Sequence, residues 1–501
     1  MTVSDTIAQV GLVNHVNSIV SATASPTQPG AAGGAFKNGT VTTYSPDGSQ
    51  KAAVGFISFE KTQFASDGSI TGGQIFHSSS TPEGQPIAST TIQLGPGGKP
   101  TQGEIQINKR QGQGVFNVVN ADLSAVQWTD AGKIGSGAIG LATKDPVSGL
   151  RTTSGSIAFQ NEKFTSGAVT QYSAKDGTTI ESLTELDFTG VALLGFKVNG
   201  GQMKVTRKRA DQSVSSNSQV SFLENGLGRI KQVQTANLAT GSNQVTSNVT
   251  ADYSAISYNA RNEIDSGDIN IDVTGPDQSP MSHAIVSFAG AVPKTAQTWR
   301  FKGGVLANKT VTDYSNAQFD NHNRVVNGSI KVDVFNAAEQ HISSTAVSYD
   351  QNRAVTNKQT QTFPVTAVAT APKTYQAVAA SWTKPPAKPS AVAQPQSNVA
   401  PTATASAAAS PGTSAAAPQT KNITRSDGTL EATVATTSQN GKPVSAVVTH
   451  YDSDGKTVVS SYHVDLTQVV VAAGQSKPSG SVSLQEFMGG TILHSESVFN
   501  Y

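Results

Sequence analysis

The sequence predicts an all-β protein, a long antiparallel β-meander built as a repeat array, with a short N-terminal helix and a small C-terminal β-domain. One observation is strict alternation: Ile269, Ile271 and Val273 are separated by polar residues, so one face of the strand is buried and the other is wet. A second is that turn-forming pairs such as Asp176-Gly177 lie between the alternating stretches, as β-hairpins require. Parallel strands covered on both faces would read as continuous apolar runs, so antiparallel pairing is favoured.

A fixed glycine period is the third observation, and it predicts the repeat. Gly-x-apolar sequences, interpreted as strand starts, are spaced alternately by 34 and 30 residues at Gly39, Gly73, Gly103, Gly137, Gly167 and Gly201. This spacing defines two-strand units of about 32 residues and a double period of 64 residues. The motif Trp128–Ile139 (WTDAGKIGSGAI) recurs at Phe64–Ile75, Tyr258–Ile269 and Phe319–Ile330, and it predicts the corner between consecutive strands.

Residues 1–22 are predicted to form an amphipathic helix. Its apolar stripe, a candidate assembly surface, consists of Ile7, Val10, Val13, Val16, Ile19 and Val20. A helix this short is marginal alone, so the stripe must dock on the chain's own β-structure or on a neighbouring subunit. Residues 23–35 are rich in Pro, Gly and Ala and are predicted to be a linker.

The remaining organisation follows from composition. The repeat array is predicted to occupy residues 36–383. Residues 384–420 are a Pro/Ala/Ser/Thr-rich stretch without core-forming residues, which predicts a flexible tether. Residues 421–501 regain alternation and hairpin signals and are predicted to form the small C-terminal β-domain.

Composition narrows the function classes. The chain has 501 residues, 14% charged residues and a net charge of +1, which argues against nucleic acid as a partner. It contains no cysteine, so disulfides and thiolate chemistry are excluded. No apolar run is long enough for a transmembrane helix. The N-terminus lacks a signal-peptide pattern, so extracellular or cell-surface localisation would need a leaderless route, and a cytoplasmic location stays open.

Two families share short turn motifs with this chain. Phe319-Asp320, Tyr349-Asp350 and the stretch Tyr451–Lys456 resemble the tyrosine–aspartate (YD-type) hairpin repeats of large secreted shell proteins, which form spiralling β-sheets. The turns at Asp427-Gly428, Asn440-Gly441 and Asp454-Gly455 resemble those of single-layer β-meander lipoproteins of bacterial surfaces. Both resemblances imply antiparallel hairpin stacking and no particular activity.

No catalytic or metal-binding pattern stands out, and no cofactor is predicted. The histidines are scattered without metal-ligand spacing, and there is no Gly-x-Ser-x-Gly nucleophile motif. A polar patch at Asp268, Asn270 and Asp272 lies on one face of a predicted strand and could hold a cation or a sugar, or form a solvated face.

The leading hypothesis is a structural, non-enzymatic protein that self-assembles at a surface, as a filament, sheath or layer subunit, with itself as partner. The alternative is an adhesin or glycan-binding module on a β-repeat stalk, which would use Trp128, Trp299 or Trp382 to contact surface glycans. The third hypothesis is an enzyme that acts on polysaccharides, and such an enzyme would need two carboxylates brought together across strands.

Overall fold

The computed structural model describes residues 36–45, 47–65, 70–108, 114–128, 134–161, 163–194, 197–224, 228–319, 324–350, 354–365, 373–380, 382, 418–425, 427–452, 454–470 and 479–501. The predicted helix at 1–22 and the linker at 23–35 lie outside these residues. So does the predicted tether, except for residues 418–420, of which Gln419 and Thr420 begin a strand.

The described chain is almost entirely β-structure, as predicted. The strands of its first half are β1 (Asn38–Tyr44), β2 (Lys51–Ser58), β3 (Thr62–Phe64), β4 (Ile70–Ser80), β5 (Pro86–Leu94), β6 (Pro100–Asn108), β7 (Val115–Asp122), β8 (Val126–Trp128), β9 (Ile134–Lys144), β10 (Arg151–Gln160), β11 (Lys163–Tyr172), β12 (Ile180–Asp187), β13 (Val191–Leu194), β14 (Lys197–Arg209), β15 (Val214–Phe222) and β16 (Ile230–Leu238).

The second half continues in the same way and adds one short helix. Its elements are β17 (Val245–Tyr258), β18 (Ile264–Thr274), β19 (Pro280–Ala289), β20 (Val292–Lys302), β21 (Val305–Asp313), β22 (Ala317–Phe319), β23 (Val325–Asn336), β24 (His341–Tyr349), β25 (Val355–Thr362), α1 (Tyr375–Ala379), β26 (Gln419–Thr424), β27 (Leu430–Gln439), β28 (Lys442–Tyr451), β29 (Val458–Asp465), β30 (Val469–Val470), β31 (Ser479–Met488) and β32 (Ile492–Asn500).

All these strands belong to one antiparallel meander, in which pairing follows the order of the chain, although β25 and β26 do not pair with each other. The sheet has one connection that is distant in sequence. Strand β32 pairs with β1, from Asn38 opposite Asn500 to Thr43 opposite Ser495. The C-terminal strands β26–β32 are therefore hydrogen-bonded to the array through β1. The domain boundaries inferred from composition stay a prediction.

Five short strands are collinear with the longer strand before them, and we call each such position across the sheet a line. Strands β2 and β3 both pair with β4, and the pairs β7 with β8, β12 with β13, β21 with β22 and β29 with β30 behave alike. The 32 strands consequently occupy 27 lines across the sheet. Because neighbouring lines are antiparallel and their number is odd, β25 and β26, which occupy the two outermost lines, run in the same direction.

Each interrupted strand contains a turn that we call the in-strand turn. In the turn after β7, the Val126 amide donates to the Leu123 carbonyl at 3.0 Å, and the Ser124 amide donates to the Asp122 carboxylate at 3.0 Å. Leu123 is buried in the core. The sequence Asp-apolar-Ser/Thr recurs at Asp187, Asp252, Asp313 and Asp465, where the carboxylate again accepts from the amide two residues later.

The partner of each in-strand turn is a glycine, which explains the double period. Gly137 has a φ of +101°, and a Cβ there would lie 2.1 Å from the Ala125 carbonyl oxygen. The same close approach and positive φ occur at Gly73, Gly201, Gly267, Gly328 and Gly480. The prediction that the periodic glycines begin strands is wrong, because Gly137 lies inside β9 and Gly103 inside β6. Only alternate members of the series face an in-strand turn.

The predicted corner at Trp128–Ile139 is confirmed by pairing. Trp128 ends β8 and lies opposite Ile134 at the start of β9. The Trp128 side chain packs, partly buried, against the core.

One face of the sheet, which we call the inner face, carries the main core. Its fully buried side chains include Ile57, Ile75, Ile105, Ile139 and Ile157. A second cluster on the same face, around Val448, Tyr462 and Val464, serves the C-terminal strands. From β16 to β24 the inner face is mostly half-buried. The opposite, outer face is mostly polar, but it also carries the exposed Phe56 and Phe76 and an apolar cluster at Trp299, Phe301 and Leu306.

Candidate functional site

The two outermost strands have open edges. Within the described part of the chain, β25 pairs only with β24, and β26 pairs only with β27. All eight residues of β25 are exposed, as are five of the six in β26. An open edge presents backbone N–H and C=O groups that can hydrogen-bond to a further strand. These edges are the first candidate site.

A second candidate is a covered region on the outer face. Residues 373–380 and 382, which we call the strap, lie across β19–β21. The strap is attached by backbone: the Leu306 amide donates to the Lys373 carbonyl at 2.9 Å, and the Tyr375 amide donates to the Gly304 carbonyl at 3.0 Å. Within it, Thr374 caps α1 by accepting from the Ala377 amide.

Aromatic packing holds the strap in place. Its Val378 is buried against Trp299, Phe301 and Leu306, which form a core cluster separate from that of the inner face. The Trp382 ring stacks on the His283 ring with centroids 3.7 Å apart. These contacts bury the large apolar side chains in this part of the mostly polar outer face.

One residue of the predicted polar patch, Asp272, contacts the strap and the His283 side chain beneath it. Asp272 receives hydrogen bonds from His283 Nδ1 at 2.8 Å and from the Tyr375 hydroxyl at 3.5 Å. Asp268 instead accepts from the Ser287 hydroxyl at 2.6 Å. Asn270 lies between them on the same face, opposite Ile285. Asp268 and Asp272 therefore accept hydrogen bonds from neighbouring side chains, and Asp272 contacts the strap.

One titratable side chain of the strap, Tyr375, has a shifted pKa. Burial, together with the neighbouring Asp272 carboxylate, raises the pKa of Tyr375. The hydroxyl donates to Asp272. Two buried nitrogens of the cluster, His283 Nε2 and Trp382 Nε1, have no hydrogen-bond partner among the described residues.

The three tryptophans considered as glycan contacts are engaged in packing. Trp128 packs on the inner-face core, Trp299 is buried, and Trp382 lies on His283. None of them offers an open platform for a sugar ring in the described structure.

The outer face contains a shallow trough of about 670 Å³ over β4–β10. Long polar side chains line part of the trough, at Gln93, Gln102 and Glu104. Small residues, such as Gly140 and Ala142, form its floor. The pairing of β4 with β5 continues one row of the trough, from Thr91, to the exposed Phe76. The alternation of polar residues indicated a wet face here, but only strand register shows which side chains form rows.

The predicted assembly residues Ile7, Val10, Val13, Val16, Ile19 and Val20 lie outside the described residues, and their role stays a prediction. Among the described residues, no group of three or more His, Asp or Glu side chains could hold a metal ion. The same part of the chain contains no helix that is long and apolar enough to span a membrane.

Comparisons with known proteins give no family. No protein-family model matches the chain, and no curated protein matches it. Among solved structures, the Tc holotoxin pore of Photorhabdus luminescens is 9% identical over 91% of this chain and 26% of that chain, with a TM-score of 0.10. TcdB2-TccC3 is 7% identical over 90% of this chain and 34% of that chain, with a TM-score of 0.08.

Transferrin Binding Protein B of Haemophilus parasuis Hp5 is 7% identical over 92% of this chain and 74% of that chain, with a TM-score of 0.11. The chain thus spans about a quarter and a third of the first two structures. Similarities this low establish neither a shared fold nor a shared function.

Proposed function

We propose that this protein is a structural, non-catalytic subunit that self-assembles when further copies add to the open edges of its sheet. The carrying observation is that, among the described residues, β25 and β26 have one partner strand each, whereas every other line of the sheet has two. Strand addition supplies a full ladder of backbone hydrogen bonds without a preformed pocket. The weakly charged, polar surface suits an extracellular or cell-surface location.

Proline tests the edges without disturbing the ladders that they already form. An edge strand tolerates proline where its N–H faces solvent, but such a residue can no longer donate to an added strand. Alternation of hydrogen-bonded pairs places the amides of Thr360 in β25 and Asn422 in β26 on the open side. The double variant Thr360→Pro/Asn422→Pro should therefore fold and remain monomeric.

The matched control is Thr360→Ala/Asn422→Ala, which keeps both backbone donors. Size-exclusion chromatography with light scattering should give assemblies for the unmodified chain and for the control, and monomers for the proline variant. A monomeric unmodified chain at every concentration would refute the proposal. So would proline variants that assemble as well as the control.

A second candidate function, glycan binding, is favoured by the trough. Carboxamide and carboxylate side chains in rows, with Phe76 at one end, provide the hydrogen-bonding groups and the apolar face that a sugar ring can contact. Titration with soluble neutral polysaccharides should then give binding that Phe76→Ala reduces. The control is Val147→Ala, at a 93% exposed residue away from the trough. Equal binding by both variants would exclude this site.

A further inference from the structure

We propose that copies join through β25, with two β25 strands pairing antiparallel about a two-fold axis normal to the sheet. This inference rests on the proposed self-assembly and names the edge, the symmetry and the register. Three observations carry it: the direction of the outermost strands, the hydrogen-bonding pattern of β25, and the positions of the edge lysines.

Strand direction limits how copies can meet. Because β25 and β26 run in the same direction, a head-to-tail contact that keeps the inner face on one side must pair β25 with β26 of the next copy in parallel. Antiparallel head-to-tail pairing would turn the inner face of one copy to the outer side. A two-fold axis through like edges reverses strand direction and keeps the faces aligned. Only like-edge pairing therefore continues the antiparallel meander, which is also the slightly more stable ladder.

The register follows from the backbone. The Phe363 amide donates to the Ile342 carbonyl at 3.0 Å, so Gln361, Gln359 and Asn357 also point their backbone groups toward β24. Thr356, Lys358, Thr360 and Thr362 alternate with them and point outward. When the two-fold axis passes through Gln359, the backbone groups of all four outward residues in each copy find partners in the other copy. About eight backbone hydrogen bonds then form between the copies.

Charge selects this register and this edge. With the axis at Gln359, Lys358 lies opposite Thr360 of the second copy. A shift of the axis to Lys358 would place two lysines opposite each other, which is unfavourable. Strand β26 is shorter, and pairing its outward residues Thr420 and Asn422 with each other would place Lys421 on the axis. The β25 edge is therefore the better self-complementary edge.

The chain contains no cysteine, so any disulfide formed by a single-cysteine variant must join two copies at the introduced position. Residues on the axis form a non-hydrogen-bonded pair, with Cα atoms about 4.5 Å apart, which lies within disulfide range. Mild oxidation of the full chain carrying Gln359→Cys should give mainly disulfide-linked dimer on a non-reducing gel. The matched control is Gln361→Cys, on the same face of the same strand. Its two cysteines would be four residues apart along the strand, about 13 Å, so this variant should run as an uncrosslinked single chain on the same gel.

Other outcomes separate the failure of this inference from that of the proposed function. Light scattering on each reduced variant shows whether assembly occurs at all, and a monomeric chain would refute the proposed function. Assembly without a Gln359→Cys crosslink, or with crosslinking at Lys358→Cys instead, would overturn the edge or register. Mixed crosslinks between Gln359→Cys and Thr420→Cys, Lys421→Cys or Asn422→Cys would show head-to-tail pairing and overturn the two-fold axis.

Discussion

Replacing Gly137 by alanine tests the account of the repeat period. Two costs arise there. A non-glycine residue in the left-handed region costs roughly 1–2 kcal/mol. A Cβ placed 2.1 Å from the Ala125 carbonyl oxygen also forces the backbone apart, which as overpacking costs about 1–3 kcal/mol. Gly137→Ala should therefore destabilise β8–β10 by about 2–5 kcal/mol.

Two nearby glycines separate these costs. Gly149 has a φ of +70° with nothing within 4 Å of its added Cβ, so Gly149→Ala carries the conformational cost alone. Gly155 lacks a positive φ, but its Cβ would lie 2.1 Å from the Ala168 carbonyl oxygen, so Gly155→Ala carries the clash alone. Each should cost clearly less than Gly137→Ala.

Hydrogen exchange of the β8–β10 amides is the suitable assay, because a long array need not unfold as one unit. The free energy of local opening should fall most for Gly137→Ala, by an amount near the sum of the two controls. If Gly137→Ala costs no more than Gly149→Ala, the close approach of the in-strand turn is not what requires glycine.

Three further predictions concern the turns and the strap. Asp122→Ala removes the acceptor of the Ser124 amide and should lower the free energy of local opening by about 1 kcal/mol, whereas Asp122→Asn keeps an acceptor and should cost less, both measured by hydrogen exchange of the β7–β9 amides. Trp382→Ala should release the strap and increase proteolysis near it, whereas Trp382→Phe should keep much of the stacking on His283; equal cleavage of the two variants would contradict this. Hydrogen bonds from neighbouring hydroxyls and amides lower the pKa values of Asp47, Asp176 and Asp454 to about 2, so their stabilisation is complete above about pH 4 and is lost as pH falls toward 2. The melting temperature should therefore fall between about pH 4 and about pH 2, and this fall should be smaller in the Asp176→Asn variant.

Sequence patterning predicted the fold because alternation and turn chemistry are local. The strands around Ile139 and Ile269 follow from side-chain spacing alone, and their antiparallel pairing follows from the short turns between them. The period of 64 was visible, but its cause was not. Gly103 and Gly137 look alike in sequence, and only the pairing of β9 with β7 and β8 shows which one faces an in-strand turn.

The candidate sites depended on contacts between distant residues. The pairing of β32 with β1 joins residues more than 450 positions apart, and no local pattern encodes it. Trp382 lies near the start of the low-complexity stretch, where nothing in the sequence indicates that it stacks on His283. The Asp-apolar-Ser/Thr signature of the in-strand turn was present at Asp122 and Asp187 and could have been found by aligning the repeats on it.

Negative-stain electron microscopy of the purified, unmodified chain tests the central claim most directly. Self-assembly through open sheet edges predicts particles joined edge to edge, with two-fold symmetry at each junction. The Thr360→Pro/Asn422→Pro variant, prepared in parallel, should show single particles. Single particles alone for the unmodified chain, at concentrations matching those of the variant, would contradict it.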